Sequence, residues 1–295
     1  MIEFKPIVHC RTVFSANFNS DKIRKQKLLI ISDLHFDSKH CQRKLLKKHL
    51  DQALEDKALI MIIGDVFDVM GTFRDPRSKP SQIRPEYLKN GSYLDLIIND
   101  AYSFFKPYAN NILMISTGNH ETNIMKRHDS DIIDRLVFLL RTENPKIIRG
   151  GYSGWMIFNF RQADGTRVRK KIIKFHHGEG GNAKRSKGVL QIDIDSSRWP
   201  DADIIVKGHD HMKWYYPSEV RQRINNSAKQ YKDVQHHIRL GSYKDGTNDG
   251  FEGWEVENNF KDTKMGGWWV TFDYFSVSGA LIAANQIKIE VTEAN

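Results

Sequence analysis

The stretch Ala58-Leu-Ile-Met-Ile-Ile-Gly64-Asp65-Val-Phe-Asp68 constrains the fold of this chain more than any other. Its six consecutive apolar residues read as a strand buried on both faces. The run stops at Gly64, and two carboxylates, Asp65 and Asp68, follow three apart. They stand at the carboxyl end of a buried strand, where α/β sheets hold their ligands. Burying a carboxylate there is costly unless it is paired or coordinates a cation. Gly and Asp are also ordinary turn residues, so the weight of the motif depends on whether other strands end the same way.

Four others do. The apolar run 28–31 ends in Ser32-Asp33-Leu34-His35, and the run 111–115 leads into Gly118-Asn119-His120-Glu121. Residues 155–160 and 168–175, on either side of a turn at Asp164-Gly165, read as a hairpin that ends at His176-His177-Gly178. The short strand 203–206 ends in Gly208-His209-Asp210-His211. A helix is predicted over 42–57, with Leu45, Leu46, Leu50 and Leu54 on one face. It makes a β-α-β unit whose two strands are parallel. Further helices are predicted over 87–105 and 132–141.

Residues 1–27 read as an N-terminal extension with two short edge strands. Residues 28–295 form one domain that turns β-rich from about 212, with strands near 237–241, 267–275 and 286–291. In the strand at 267–275, Trp268, Val270, Phe272 and Tyr274 share a face. His236-His237 reads as a surface pair beside a strand.

No stretch reaches the ~18 apolar residues of a membrane span, and polar residues interrupt any signal-peptide core at the N-terminus. Two cysteines, Cys10 and Cys41, make no disulfide framework. A cytoplasmic protein is expected. The net charge of +9 and a pI near 9.3 tilt the expected partners toward anions.

Residues two apart in an extended segment point the same way, so Asp33 and His35 can face one metal, and His209 and His211 one cleft. Five of the twelve histidines fall at strand ends beside Gly or Asp, a harder coincidence than one structural histidine. Imidazole, carboxylate and amide oxygen without cysteine suit manganese, iron, zinc or nickel better than calcium.

These five motifs, in this order over residues 33 to 211, resemble the calcineurin-like metallophosphoesterase superfamily. The resemblance implies an α/β/β/α sandwich of two mixed β-sheets flanked by helices, with two divalent metal ions at the carboxyl ends of the strands. Manganese is expected first, with iron, zinc, nickel or magnesium as alternatives. By motif position, Asp33, His35 and His211 hold one metal, Asn119, His177 and His209 the other, and Asp65 bridges them. His177 is chosen over His176 because the family's ligand directly precedes glycine. Two metals sharing a carboxylate activate a bridging water and clamp an in-line displacement. His120 resembles the family's non-ligand histidine, which binds phosphate and protonates the leaving oxygen, with Asp68 holding its imidazole. Asp68 is followed by Val69-Met70 and His35 by Phe36, where the protein Ser/Thr phosphatase branch carries Arg-Gly and Gly; that branch is not expected.

Three basic clusters leave strand ends of this set: Arg77, Lys79 and Arg84 with Arg74; Arg127 with Lys126; and Lys184 and Arg185 with Lys187. Loops from adjacent strand ends surround one cleft. A polyanionic substrate is therefore expected, nucleic acid first and DNA favoured, hydrolysed by a nuclease-type phosphodiesterase. Small nucleotides or cyclic nucleotides are the alternative, and a non-catalytic protein-binding scaffold a remote one. The Gly-rich segment 241–267 is read as a lid whose Tyr243, Phe251 and Trp254 offer stacking platforms.

Overall fold

The computed structural model describes residues 4–19, 24–69, 80–88, 92–161, 168–180, 189–224, 228–247, 250, 254–257, 262–275 and 286–295. The strands, in chain order, are β1 (Lys5–Cys10), β2 (Val13–Asn19), β3 (Lys25–Ile31), β4 (Leu59–Ile63), β5 (Ile112–Ser116), β6 (Ile148–Arg149), β7 (Ser153–Arg161), β8 (Val168–His176), β9 (Ile204–Lys207), β10 (Trp214–Ile224), β11 (Gln230–Arg239), β12 (Trp268–Phe275) and β13 (Gln286–Glu293). The helices are α1 (Arg43–Glu55), α2 (Tyr93–Phe105), α3 (Asn119–His128), α4 (Ile132–Leu140), α5 (Gln191–Arg198) and the single turn α6 (Trp254–Glu257).

Two mixed sheets stack face to face. One has the order β13-β12-β3-β4-β5-β6 and the other β1-β2-β7-β8-β9-β11-β10. β3, β4 and β5 run parallel, as the β-α-β reading requires. Alternation along these strands explains their unbroken apolar runs. Leu28, Ile30, Leu59, Met61 and Ile63 enter the core between the sheets, while Leu29, Ile31, Ile60 and Ile62 face the helical layer of α1, α2 and α4. Trp268, Val270, Phe272 and Tyr274 share the inter-sheet core as expected. Across the other sheet, α5 packs through its buried Asp195 onto Lys207, giving the second helical layer of an α/β/β/α sandwich. Among the described residues no helix is long and apolar enough to cross a membrane.

Several local expectations change. Of the two edge strands expected before residue 28, β1 lies at the edge of its sheet, whereas β2 is interior, pairing with β1 and β7 and putting Phe14, Ala16 and Phe18 in the core. α1 buries Leu46, His49, Leu50 and Ala53, while Leu54 is 46% exposed, so the inward stripe is rotated from the leucine face. α2 begins at Tyr93, after a separate 3-10 turn at Pro85–Leu88. Tyr243 is fully buried, its hydroxyl 2.6 Å from His49 Nδ1, so it anchors the core and offers no face for stacking. Phe251 and the side chain of Trp254 lie outside the described residues. His237 lies within β11 and is buried against Ser196, because the helical cover of α5 replaces solvent on that face.

Burial pushes His49 and His237 down to about 4. Their neutral forms therefore stabilise the fold fully above the unfolded value near 6.5, and that contribution is lost as pH falls from there toward 4. Each accounts for up to about 3 kcal/mol at 1.36 kcal/mol per pH unit. Denaturant unfolding of the metal-free protein should show stability falling across that window, less steeply in His237→Gln. Equal slopes for the two proteins would remove His237 from the account.

Candidate active site

The carboxyl ends of β3, β4 and β5 in one sheet meet those of β8 and β9 in the other, because backbone and side-chain bonds stitch the ends together. Asp33 N donates to Gly64 O (3.2 Å), Leu34 N to Asp65 O (2.8 Å) and Gly208 N to His177 O (2.8 Å). Between sheets, His209 N donates to Asp33 Oδ2 (3.0 Å), and His177 Nδ1 lies 2.9 Å from Ile63 O. The approach is close enough to demand glycine. A Cβ on Gly64 (φ 75°) would stand 2.5 Å from His177 Nδ1, and one on Gly118 would collide with the Asp65 carboxylate. Left-handed backbone recurs at the motif residues themselves: Asp33 (φ 52°), His35 (46°), Asp65 (47°), His209 (74°) and His211 (57°).

The chain brings all seven expected ligands into one cluster. Asp33, His35 and His211 form one group, with Asp33 Oδ1 and His35 Nε2 each 3.3 Å from His211 Nε2. Asp65, His177 and His209 form a second, joined by Asn119, whose Oδ1 lies 3.0 Å from His177 Nε2 and 2.8 Å from His209 Nδ1. Asp65 Oδ2 sits 3.1 Å from His177 Nε2, on the side of the second group. His176 stays outside, with its Nδ1 accepting from Gly178 N and its ring against Tyr152 and Trp199.

Donor chemistry and charge both fit a divalent cation pair. The outward nitrogen of each ring is fixed: His177 Nδ1 lies against the Ile63 carbonyl and His209 Nε2 against that of Gly180 (2.9 Å), which turns the other nitrogen inward. His35 Nδ1 stands 2.8 Å from Asp68 Oδ1, at ion-pair distance though without hydrogen-bond alignment. Asp33, Asp65 and Asp68 are all buried, so they need cationic partners. In the metal-free protein, burial pushes the His177 imidazole down, but the Asp65 carboxylate overrides it and raises it to about 10. For Asp33, burial pushes the carboxyl up, yet the His211 hydrogen bond and the His177 charge hold it at about 2. Burial drives the His35 imidazole down, toward the neutral form a metal requires.

His120 sits beside this cluster. Its Nδ1 is 2.7 Å from the backbone carbonyl of Asp68, and its Nε2 is 3.8 Å from Asp65 Oδ2. The Asp68 carboxylate is 3.8 Å from His120 Nδ1, held instead by His35 and by Lys244, whose Nζ is 3.3 Å from both oxygens. Thus Asp68 meets His120 through its main chain more closely than through its side chain.

Four contributors escaped the sequence reading. Glu121 is fully buried and accepts from the backbone of Asp65, Phe67 and Gly118, locking the Asp65 loop to the start of α3. Burial and the Asp65 charge lift its carboxyl to about 7. Asp37 accepts from Asp68 N (2.6 Å) and Val69 N (2.9 Å) and also binds the Tyr93 hydroxyl. Tyr152 packs edge-on to His177. Glu121 and Asp37 were within reach, lying one and two residues past motif histidines; Lys244 and Tyr152 carry no sequence signal.

Of the expected substrate cations, Arg77, Lys79, Lys184 and Arg185 lie outside the described residues, as do Arg74 and Lys187. Arg84 pairs with Glu86 Oε1 at 2.7 Å. Arg127 is exposed in the last turn of α3, roughly 12 Å along the axis from Asn119 at 1.5 Å per residue.

A two-sheet sandwich that gathers carboxylate, imidazole and amide oxygen at its strand ends is the architecture of a metal-dependent phosphoesterase, a hydrolase of phosphoester bonds. The chain belongs to the calcineurin-like phosphoesterase family, whose profile matches residues 26–260. No curated protein sequence matches it. Among solved structures, it is similar to a predicted phosphoesterase of Streptococcus pneumoniae at 10% identity, over 92% of this chain and 91% of that one, with a TM-score of 0.33. Entamoeba histolytica Vps29 complexed with zinc gives 11%, 92%, 100% and 0.34 on the same measures. GAP50, the anchor in the inner membrane complex of Plasmodium, gives 11%, 85%, 82% and 0.40.

Proposed function

We propose that the protein is a phosphodiesterase that hydrolyses nucleic acid, DNA ahead of RNA, in the cytoplasm. Asp33, His35 and His211 would hold one divalent cation and Asn119, His177 and His209 a second, with Asp65 between them. Manganese, ahead of iron, zinc, nickel or magnesium, would supply Lewis acidity toward the phosphoryl oxygens and the attacking water. The observation that carries the reading is the placement of His120. Its Nδ1 is committed to the Asp68 carbonyl, and its Nε2 faces the cluster, 12% exposed, at the edge of the donor groups. In the imidazolium form, Nε2 gives its proton to the leaving oxygen as the P–O bond breaks. Buried walls around Asp65 and His177 limit the water that competes for that proton.

Nucleic acid is favoured by the net charge of +9 and by the cationic stretches of sequence at 74–84 and 184–187. The pairing of Arg84 with Glu86 favours the second reading, a small nucleotide or cyclic nucleotide that needs few rim cations. A salt series separates them. In an inactive His120→Ala background, oligonucleotide affinity measured by fluorescence anisotropy should fall with log salt at a slope of about −0.7 per phosphate contact. Replacing Arg77, Lys79 and Arg84 together by Ala should flatten the slope and spare bis-p-nitrophenyl phosphate hydrolysis. Weak binding without steep salt dependence, alongside fast turnover of a mononucleotide, selects the small substrate.

A further inference from the structure

We propose that Lys244 is a positioning residue for His120, acting through the Asp68 carboxylate; the inference rests on His120 serving as the proton donor. Lys244 arrives from the loop after β11, far from the five motifs in sequence, yet that loop is fixed on several sides. Tyr243 N and Ser242 Oγ each donate to Asp33 O at 2.9 Å, Lys244 N donates to Ser242 Oγ at 2.9 Å, and Asp245 N donates to His40 O at 3.0 Å. A bridge joins Lys244 to Cys41. The ammonium is therefore delivered to a set place, 9% exposed and 3.3 Å from each oxygen of Asp68.

That place decides how Asp68 can turn. Its main chain is pinned by Asp37, leaving the carboxylate to rotate about its own bonds. Oδ1 is shared by His35 at 2.8 Å, Lys244 at 3.3 Å and His120 at 3.8 Å, while Oδ2 is contacted by Lys244. Without the ammonium, a buried carboxylate keeps its charge and loses a hydrogen-bonded partner, which is strongly unfavourable. His35 Nδ1 already faces Oδ1 and its ring belongs to the first ligand group, so the next donor in reach is the His120 ring, whose Nδ1 is held by the Asp68 carbonyl. Drawing that ring onto Oδ1 swings Nε2 away from the leaving oxygen. Lys244 thus occupies the carboxylate and keeps His120 on the carbonyl.

The test is a double-mutant cycle on the full chain loaded with manganese, with turnover read on a dinucleotide (poor leaving group) and on bis-p-nitrophenyl phosphate (good leaving group). Lys244→Met should lower kcat on the dinucleotide by about 10- to 100-fold, the usual effect of removing an outer partner. The loss should be smaller on the activated ester, with KM and bound manganese little changed. Lys244→Arg should restore most of it. In His120→Ala, adding Lys244→Met should cost nothing further. In the metal-free protein, the His120 ring-nitrogen resonances should move in Lys244→Met and hold in Lys244→Arg. If Lys244→Met does not fold, Lys244→Gln reads the same cycle. Equal losses in both His120 backgrounds, or no loss in either, overturn the inference while leaving His120 as the acid. A fully active His120→Ala overturns the acid assignment and the inference with it.

Discussion

Asp65→Asn should leave the fold intact and abolish turnover. The substitution is isosteric at a buried position, and Asn is among the residues that tolerate the left-handed backbone Asp65 adopts. Its amide oxygen can still accept from His120 N, which binds Asp65 Oδ1 at 3.0 Å. What disappears is the negative charge that faces His177 Nε2 at 3.1 Å. A neutral amide holds a divalent cation poorly, and the Lewis acidity at stake is worth several kcal/mol. That converts to a fall of at least ~10³ in kcat at 1.36 kcal/mol per decade. Elemental analysis should find less bound metal, while the far-ultraviolet circular dichroism spectrum stays that of the wild type. Two tightly held ions and surviving activity in this variant would remove Asp65 from the position between the metals.

His120→Ala should separate proton transfer from metal holding. The side chain is absent from both expected ligand groups, so both ions should remain. Turnover should fall by roughly 10²–10⁴, the usual contribution of general acid catalysis. The loss should shrink on p-nitrophenolate esters, whose leaving group needs little protonation. Equal losses on good and poor leaving groups would instead assign His120 to phosphate binding.

The parts legible in the sequence are those where one local rule decides. The runs 28–31, 59–63 and 112–115 within β3, β4 and β5 are legible because both faces are covered and no polar residue interrupts them, and the strand-end motifs mark where cover gives way to the cleft. β10 was missed: Pro217, Arg221 and Arg223 break its pattern, and its pairing with β11 decides the matter. α3 was missed because, among its ten residues, Ile124 is the one buried apolar side chain; it starts where Glu121 returns to Gly118 N. Lys244 and Asp68 stand 176 residues apart, a contact no local pattern encodes. The likeness of Tyr243 to a lid residue failed for the same reason, since burial against His49 is a property of the assembled core.

The left-handed backbone at Asp33, His35, Asp65, His209 and His211 is a conformational cost that the cleft carries at five named positions. Each such conformation in a non-glycine residue costs of order 1–3 kcal/mol, and glycine would relieve it. At Asp33 and Asp65 that gain is outweighed, because glycine would strip His211 and His177 of the carboxylates they pair with. In a variant library screened only for heat resistance of the metal-free protein, glycine should be enriched at the histidine positions, first at His209, whose ring contacts the neutral oxygens of Asn119 and Gly180, and depleted at Asp33 and Asp65. In the same library screened for turnover it should vanish. A site whose replacements change sign between two screens can be mapped before any substrate is known, and here the map should retrace the cleft.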